Sequence, residues 1–204
     1  MKVHLSFIVA GLLLALVAAA SAAPPGEGTR AVERANTAVR ELLREEVAPA
    51  SPAEKKLVAQ VTRSVRDFLD IDTLGRQAMR DHWAGLPRAQ RREYLELLRG
   101  LVEANYLKAL RANLDYQVGY LGEEAAPGGQ LLVKTEIRAL RRGRPRAIAI
   151  DYLLAKDGTG WRAADVITDG VGLVENYRAQ FNKIIARDGF AGLLDRMRKK
   201  RASM

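Results

Sequence analysis

Two periods of hydrophobicity divide the chain, and they place its elements in order. From about Thr29 to Val47 the apolar residues Val32, Val39, Leu42, Leu43 and Val47 recur on one side of a helix. Pro49 ends it. Ser51-Pro52-Ala53-Glu54 is a capping box with proline at the first helical position, and the helix it opens runs to about Phe68. Asp72 is the expected cap of the next helix, which carries Leu74, Ala78, Met79 and Trp83. Pro87 starts a long helix reaching roughly to Leu114. On it Tyr94, Leu95, Leu97, Leu98, Leu101, Val102, Tyr106 and Ala109 spread over about half the circumference, wider than the ~100° stripe of a surface helix. So wide an arc predicts apolar contact on two sides, with Arg92, Glu96, Arg99 and Glu103 opposite.

After Asn113 the period changes to two. Tyr116 to Leu121 reads as a short strand, and Ala126-Pro-Gly-Gly129 as a turn. Leu131, Val133, Thr135, Ile137 and Ala139 alternate with Leu132, Lys134, Glu136 and Arg138. Beyond Arg142-Gly-Arg-Pro145, residues Ile148, Ile150, Tyr152 and Leu154 form one face of a third strand. Asp157-Gly-Thr-Gly160 returns the chain into a fourth, Trp161 to Thr168. Strands at hairpin spacing predict an antiparallel meander. Helical periodicity resumes at about Leu173 to Arg187 and Phe190 to Arg201. The predicted class is α+β: N-terminal helices, a four-stranded curved antiparallel sheet, and C-terminal helices closing over one face to enclose an apolar cavity.

The first residues stand outside this scheme. Lys2 and His4 precede an uncharged run, Leu5 to Ala20, and Ala20-Ser21-Ala22 fits the small-x-small cleavage rule of a secretory signal peptide. Residues 1–22 are therefore expected to be cleaved, 23–28 to form a flexible leader, and 29–201 to fold as a single domain. The predicted location is the periplasm. The 204 residues include no cysteine, so the chain is no disulfide scaffold. Cleavage subtracts only Lys2 from a formal net charge of +9. A basic surface suits anionic lipid or acidic partners, and export argues against nucleic acid.

The inventory of reactive side chains is thin. After the signal stretch the chain has one histidine, His82, and three serines, Ser51, Ser64 and Ser203. No Ser-His-Asp or Cys-His arrangement assembles from these, and no metal or cofactor site is expected. Asp67, Asp70 and Asp72 lack the spacing of a calcium loop and read as helix-end acids. Asp81-His82-Trp83 reads as an exposed helix end. Asp151 and Asp165 lie in strands of a cupped sheet, where a buried carboxylate can act as a base.

The stretch Asp165-Val-Ile-Thr-Asp-Gly-Val-Gly-Leu-Val-Glu-Asn-Tyr-Arg-Ala-Gln-Phe181 passes from strand to helix across Gly170 and Gly172. It resembles the signature D-V-x-x-x-G-V-S-L-V-x-N-Y-R-x-Q-F of the MlaC-type family of periplasmic phospholipid carriers, also known as toluene-tolerance auxiliary proteins. Asp151-Tyr152 followed by Gly160-Trp161-Arg162 resembles the family's D-Y…G-W-K strand pair. Phe68, Trp83, Pro87, Gln90, Tyr94 and Tyr106 match its helical segment. The resemblance spans roughly residues 30 to 198. Two departures stand out: Met79-Arg80 replaces a Leu-Gly pair, and Gly172 replaces the serine of G-V-S.

The resemblance implies no enzyme but a carrier that holds phospholipid acyl chains in an apolar tunnel. It implies partners too: an outer-membrane lipoprotein–porin complex, and an inner-membrane ABC transporter complex with its substrate-binding ring. Trp83, Leu98, Val102 and Tyr106 are expected on one wall, and Ile150, Tyr152, Val166, Val171, Tyr177 and Phe181 on the other. Arg178 is expected either at the mouth, meeting a phosphate, or bracing the switch against Asp165. Arg138, Arg141, Arg142, Arg144 and Arg146, with Arg196, Arg198, Lys199, Lys200 and Arg201, form basic clusters suited to docking. Three alternatives remain: a carrier of another lipid such as a hopanoid, an enzyme using Asp151 or Asp165 as base, and an adaptor with a solid core.

Overall fold

The computed structural model describes residues 24–112, 116–141, 144–158 and 160–204. The expected signal peptide and Arg142 lie outside the described residues. Five helices come first: α1 Glu27–Leu43, α2 Pro52–Phe68, α3 Ile71–Ala78, the single turn α4 Arg80–Trp83, and α5 Arg88–Ala112. Strands β1 Tyr116–Ala126, β2 Gln130–Arg141, β3 Arg144–Asp157 and β4 Gly160–Thr168 follow, then a two-residue β5, Val171–Gly172, and the helix α6, Leu173–Ala202. The sheet is antiparallel in the order β1-β2-β3-β4-β5. The architecture is α+β, with one strand more than the hydrophobic period predicts. A two-residue strand is too short to leave any alternation.

Local chemistry explains the boundaries. Ser51 accepts the Glu54 N–H at 3.1 Å, as the capping box predicts. Asp70, and not Asp72, caps α3, accepting the Thr73 N–H at 3.0 Å. The Asp70 N–H donates to the Ala163 carbonyl at 2.9 Å, so contact with β4 sets where α3 begins. Asp72 instead pairs with Arg99 at 2.6 Å. β1 outruns its predicted end at Leu121 because a bulge between Tyr120 and Gly122 resets its alternation. At Gly189, φ 71° and ψ 176° divide α6 into the two helical segments expected.

The registers define the face that meets the helices. Tyr152 lies opposite Val133 on one side and Val166 on the other. Leu154 lies opposite Leu131 and Ala163, and Tyr120 opposite Thr135. Bulges in β1 and at Ala164 of β4, opposite Leu153 and Leu154, curve the sheet. α1 packs on β2 and β4, while α2, α3 and α6 pack on β4. Val133, Leu154, Ala163, Val32 and Val61 are buried where the layers meet; Leu74, Met79, Tyr94 and Leu98 are buried among the helices. Each buried Val, Leu or Met among them contributes about 1.5–3 kcal/mol of apolar burial.

Two features of the helical layer escape the hydrophobic pattern. Glu103, expected on the solvent side of α5, is buried and paired through both oxygens with Arg66 of α2. The first turn of α1 is pinned to the sheet by Glu123 of β1, which accepts from the Thr29 N–H at 2.5 Å and the Thr29 hydroxyl at 2.9 Å. A Cβ on Gly28 would lie 3.0 Å from both Leu131 and Val133, so glycine lets the helix start this close.

Candidate functional site

The turn after β4 puts Asp169 at φ 47° and Gly170 at φ 82°, both left-handed, and β5 folds back so that Val171 pairs with Thr168. Aspartate is among the few residues that tolerate this region. Asp169 is held from both ends: its N–H donates to the Ala149 carbonyl at 3.0 Å, and its carboxylate accepts the Ala149 N–H at 3.2 Å. The helix starting at Leu173 has Gly172 at its cap position, with no side chain to cap it. Asp165 of β4 supplies the acceptor, taking the Val174 N–H at 3.0 Å and the Val166 N–H at 2.8 Å. A Cβ on Gly172 would fall 2.7 Å from Asp165 Oδ2, so glycine leaves room for the carboxylate. Burial lifts the Asp165 carboxyl above the usual range, against the pull of the backbone donors and the Arg178 charge. Arg178 donates to the Gln77 carbonyl at 3.1 Å, tying α6 to the end of α3.

The residues expected to line the walls separate into a helical group and a sheet group. In the first, Tyr94 is the hub: Trp83 and Phe181 meet its ring edge-on at 6.4 and 5.8 Å, and Tyr177 stacks on Phe181 at 5.3 Å. The Tyr94 hydroxyl donates to the Gly75 carbonyl at 3.0 Å. Leu98 packs here too, its Cδ2 2.8 Å from where a Gly75 Cβ would stand. Val102 is buried one turn further along α5. In the second group, Ile150, Tyr152 and Val166 share the helix-facing side of the sheet. Phe68 of α2 meets the Tyr152 ring edge-on at 5.7 Å. Tyr106 of α5 joins Tyr152, and burial first, then the neighbouring phenols, push both hydroxyls far above their ordinary value. Val171 belongs to neither group: it is 55% exposed on β5.

The structure adds residues on α1 and β1 that the periodicity reading missed. Tyr116 and Tyr120 of β1 border the Tyr106–Tyr152 pair. Asn36 of α1 donates to the Tyr120 hydroxyl at 3.3 Å, and the Arg40 guanidinium lies over the Tyr116 ring, 5.4 Å from its centre. Alternation of Tyr116, Val118 and Tyr120 is the one signal the sequence offers; the approach of α1 comes from tertiary packing. An open depression of about 500 Å³ lies here, lined by Glu33, Thr37, Arg40, Gln117, Val118 and Tyr120. A second, of about 480 Å³, runs along α1 from Arg30 to Glu41. Both are polar-edged and open, so the enclosed apolar cavity expected from the sequence is not what these hollows provide.

The profile of the MlaC protein family matches residues 33–199. The chain belongs to the MlaC family. Its structure is similar to that of a phospholipid-binding protein from Ralstonia solanacearum, solved in complex with a phospholipid at 1.53 Å resolution. The TM-score is 0.71 at 22% identity, covering 87% of this chain and 98% of that one, a likeness of fold. No curated protein matches the sequence.

In this MlaC protein the groups considered for catalysis have structural partners. Asp151 accepts the Thr135 N–H at 3.3 Å, and the Thr135 hydroxyl donates to the Ile150 carbonyl. His82 bonds the Asn182 side chain at 2.9 Å, and Asn182 donates to Asp81 at 2.9 Å, which joins α4 to α6. Among the described residues no three His, Asp or Glu side chains gather to hold a metal, and no helix is long and apolar enough to cross a membrane. Much of the C-terminal basic cluster is paired within the molecule: Arg196 with Asp188 at 2.8 Å, Lys199 with Asp195 at 2.8 Å, Arg198 with Glu93, and Arg201 with Glu96 at 3.7 Å. In the other cluster Arg138 pairs with Glu136 at 2.5 Å, and the backbones of Arg141 and Arg144 are in register at the β2–β3 end.

Proposed function

We propose that this protein is a periplasmic phospholipid carrier that holds acyl chains between its helices and the helix-facing side of its sheet. The observation that carries the reading is the shared fold with a protein solved around a phospholipid, over 98% of that protein's chain. Membership of the MlaC family over residues 33–199 supports it. The apolar seam fits the cargo. At about 0.8 kcal/mol per methylene, two long acyl chains gain on the order of 20 kcal/mol on leaving water, so lipid crosses an aqueous space only inside such a shelter. Acyl chains would lie along Ile150, Tyr152, Val166, Val102 and Tyr106, replacing side-chain contacts there. Trp83, Leu98, Tyr177 and Phe181 would form the solid end of the pocket around Tyr94. Arg178 acts as a brace through Gln77.

In this reading the carrier exchanges lipid between an outer-membrane lipoprotein–porin complex and an inner-membrane ABC transporter complex with its substrate-binding ring, maintaining outer-membrane lipid asymmetry. The test is to purify the mature protein from periplasm without detergent, denature it, extract it with organic solvent and weigh the extract. Near-stoichiometric phospholipid is expected. A hopanoid in its place would change the cargo. A clean protein that also takes no lipid from vesicles would remove the carrier reading.

A further inference from the structure

The depression between α1 and β1 has a composition that the acyl-chain seam does not need. Glu33 and Arg40 line it from α1 at a separation of seven residues, about two turns or roughly 10.5 Å along the axis, with Thr37 between them. Tyr120 and Val118 close it from β1. Neither charge is spent on an ion pair among the described residues. The Arg40 Nε is buried with no partner, although its guanidinium lies over the Tyr116 ring. A buried donor left unpaired costs free energy that an incoming acceptor recovers. Burial first raises the Tyr120 phenol and the Asn36 bond lowers it; of the two nearby charges Glu33 raises it and Arg40 lowers it, so anion-seeking and cation-seeking groups lie beside one hollow. Tyr116, Val118 and Tyr120 share the helix-facing side of β1, opposite Ala139, Ile137 and Thr135, and Tyr120 borders Tyr152, so the hollow adjoins the apolar seam.

We propose that this depression reads the headgroup of the carried lipid and selects a zwitterionic phosphodiester, Arg40 taking the phosphate and Glu33 the ammonium beside the Tyr120 ring. The inference rests on the carrier reading and narrows its substrate class to phospholipids such as phosphatidylethanolamine over anionic ones such as phosphatidylglycerol. Arg40 provides for the phosphate common to both, and Glu33 discriminates, because only the zwitterionic headgroup brings a cation.

The test incubates the mature protein with vesicles of equal phosphatidylethanolamine and phosphatidylglycerol, then separates the protein and weighs its bound lipid. Enrichment of phosphatidylethanolamine by about three- to fivefold over the vesicle ratio is expected, the size of one partly exposed ion pair. Glu33→Gln, a half-exposed position, is expected to return the ratio to that of the vesicle. Thr37→Lys is expected to turn the preference toward phosphatidylglycerol, and Arg40→Gln to lower uptake of both. Near-UV circular dichroism checks that each variant keeps its fold. Lipid bound at the vesicle ratio by the unmodified protein overturns the headgroup inference and leaves the carrier reading standing; no lipid bound at all overturns both. Glycerophosphoethanolamine, which has the headgroup and no tails, is expected not to compete at equal concentration. Full competition would mark a site for a soluble phosphodiester and would overturn the inference.

Discussion

The carboxylate of Asp165, in the fourth strand, accepts the backbone N–H of Val174 at 3.0 Å and so caps a helix that begins eight positions after it in sequence. This bond explains how the chain passes from strand to helix with no loop of ordinary length. Gly170 supplies the turn, Gly172 the space, and Asp165 the acceptor that the cap position lacks.

The pH dependence of this cap has a definite sign. Burial raises the Asp165 carboxyl above its unfolded value, so the folded protein binds that proton more tightly than the unfolded chain. The charged form therefore costs stability above the folded pKa, and the cost disappears as pH falls through that value towards 3.8. Asp165→Asn keeps a capping oxygen and removes the titration. The melting temperature of the unmodified protein relative to Asp165→Asn should rise as pH is lowered from about 7.5 to about 4.5. A difference that stays flat over that window would count against the assignment.

The Arg66–Glu103 pair should be worth more than the Arg99–Asp72 pair. Glu103 is 10% exposed at its side chain and Asp72 42%. Arg66→Ala leaves a buried carboxylate without its partner and should cost about 2 kcal/mol, reduced from the fully buried case because Arg66 itself is half exposed. Arg99→Ala should cost less than about 1 kcal/mol. Glu103→Leu should cost less than Arg66→Ala, since an apolar group suits the burial and Arg66 can turn to solvent. Urea unfolding of the three variants ranks them.

The alternation in β2 and β3 was strong enough to give strands, antiparallel order and the residues that share a face, while the registers show which face meets the helices. Tyr152, Val133 and Val166 stand together for that reason. What sequence could not carry was the meeting of distant parts. Glu103 sits on the polar side of its own helix and is buried only because Arg66 of another helix covers it. Glu123 lies beyond the predicted end of its strand, and its role appears only when α1 brings its open N–H groups to it. The cap moved from Asp72 to Asp70 because a backbone bond to Ala163, far along the chain, fixes the helix start. At the candidate site, helical spacing placed Tyr177 beside Phe181, while Val171, expected on a wall from the family resemblance, is 55% exposed. A two-residue strand turns a side chain outward without leaving a period to read.

Bulk added to the seam should block loading, and bulk added to β5 should not. Ile150 faces the helices beside Tyr152, whereas Val171 is largely in solvent. If acyl chains follow the seam, Ile150→Trp should lower lipid uptake from vesicles several-fold while Val171→Trp loads as the unmodified protein does. Fluorescent phospholipid transfer from labelled vesicles measures both, and equal loading by the two variants would remove Ile150 from the path.

Tyr94 should prove the most sensitive single position in the helical layer, and its ring should matter more than its hydroxyl. The side chain is fully buried, with Trp83, Phe181 and Phe190 at 6.4, 5.8 and 6.4 Å around it. Its hydroxyl donates to the Gly75 carbonyl at 3.0 Å, but that oxygen also accepts the Met79 N–H at 3.1 Å. Tyr94→Phe therefore leaves no bare acceptor and should cost about 1 kcal/mol, the net worth of one neutral hydrogen bond. Tyr94→Ala empties the centre of an aromatic cluster and should cost about 3–5 kcal/mol, enough to leave little of the roughly 5–15 kcal/mol that holds a domain folded. Urea denaturation of both variants decides the point: a Tyr94→Phe loss as large as that of Tyr94→Ala would mean that the hydroxyl, and not the ring, organises the packing of α3 against α5.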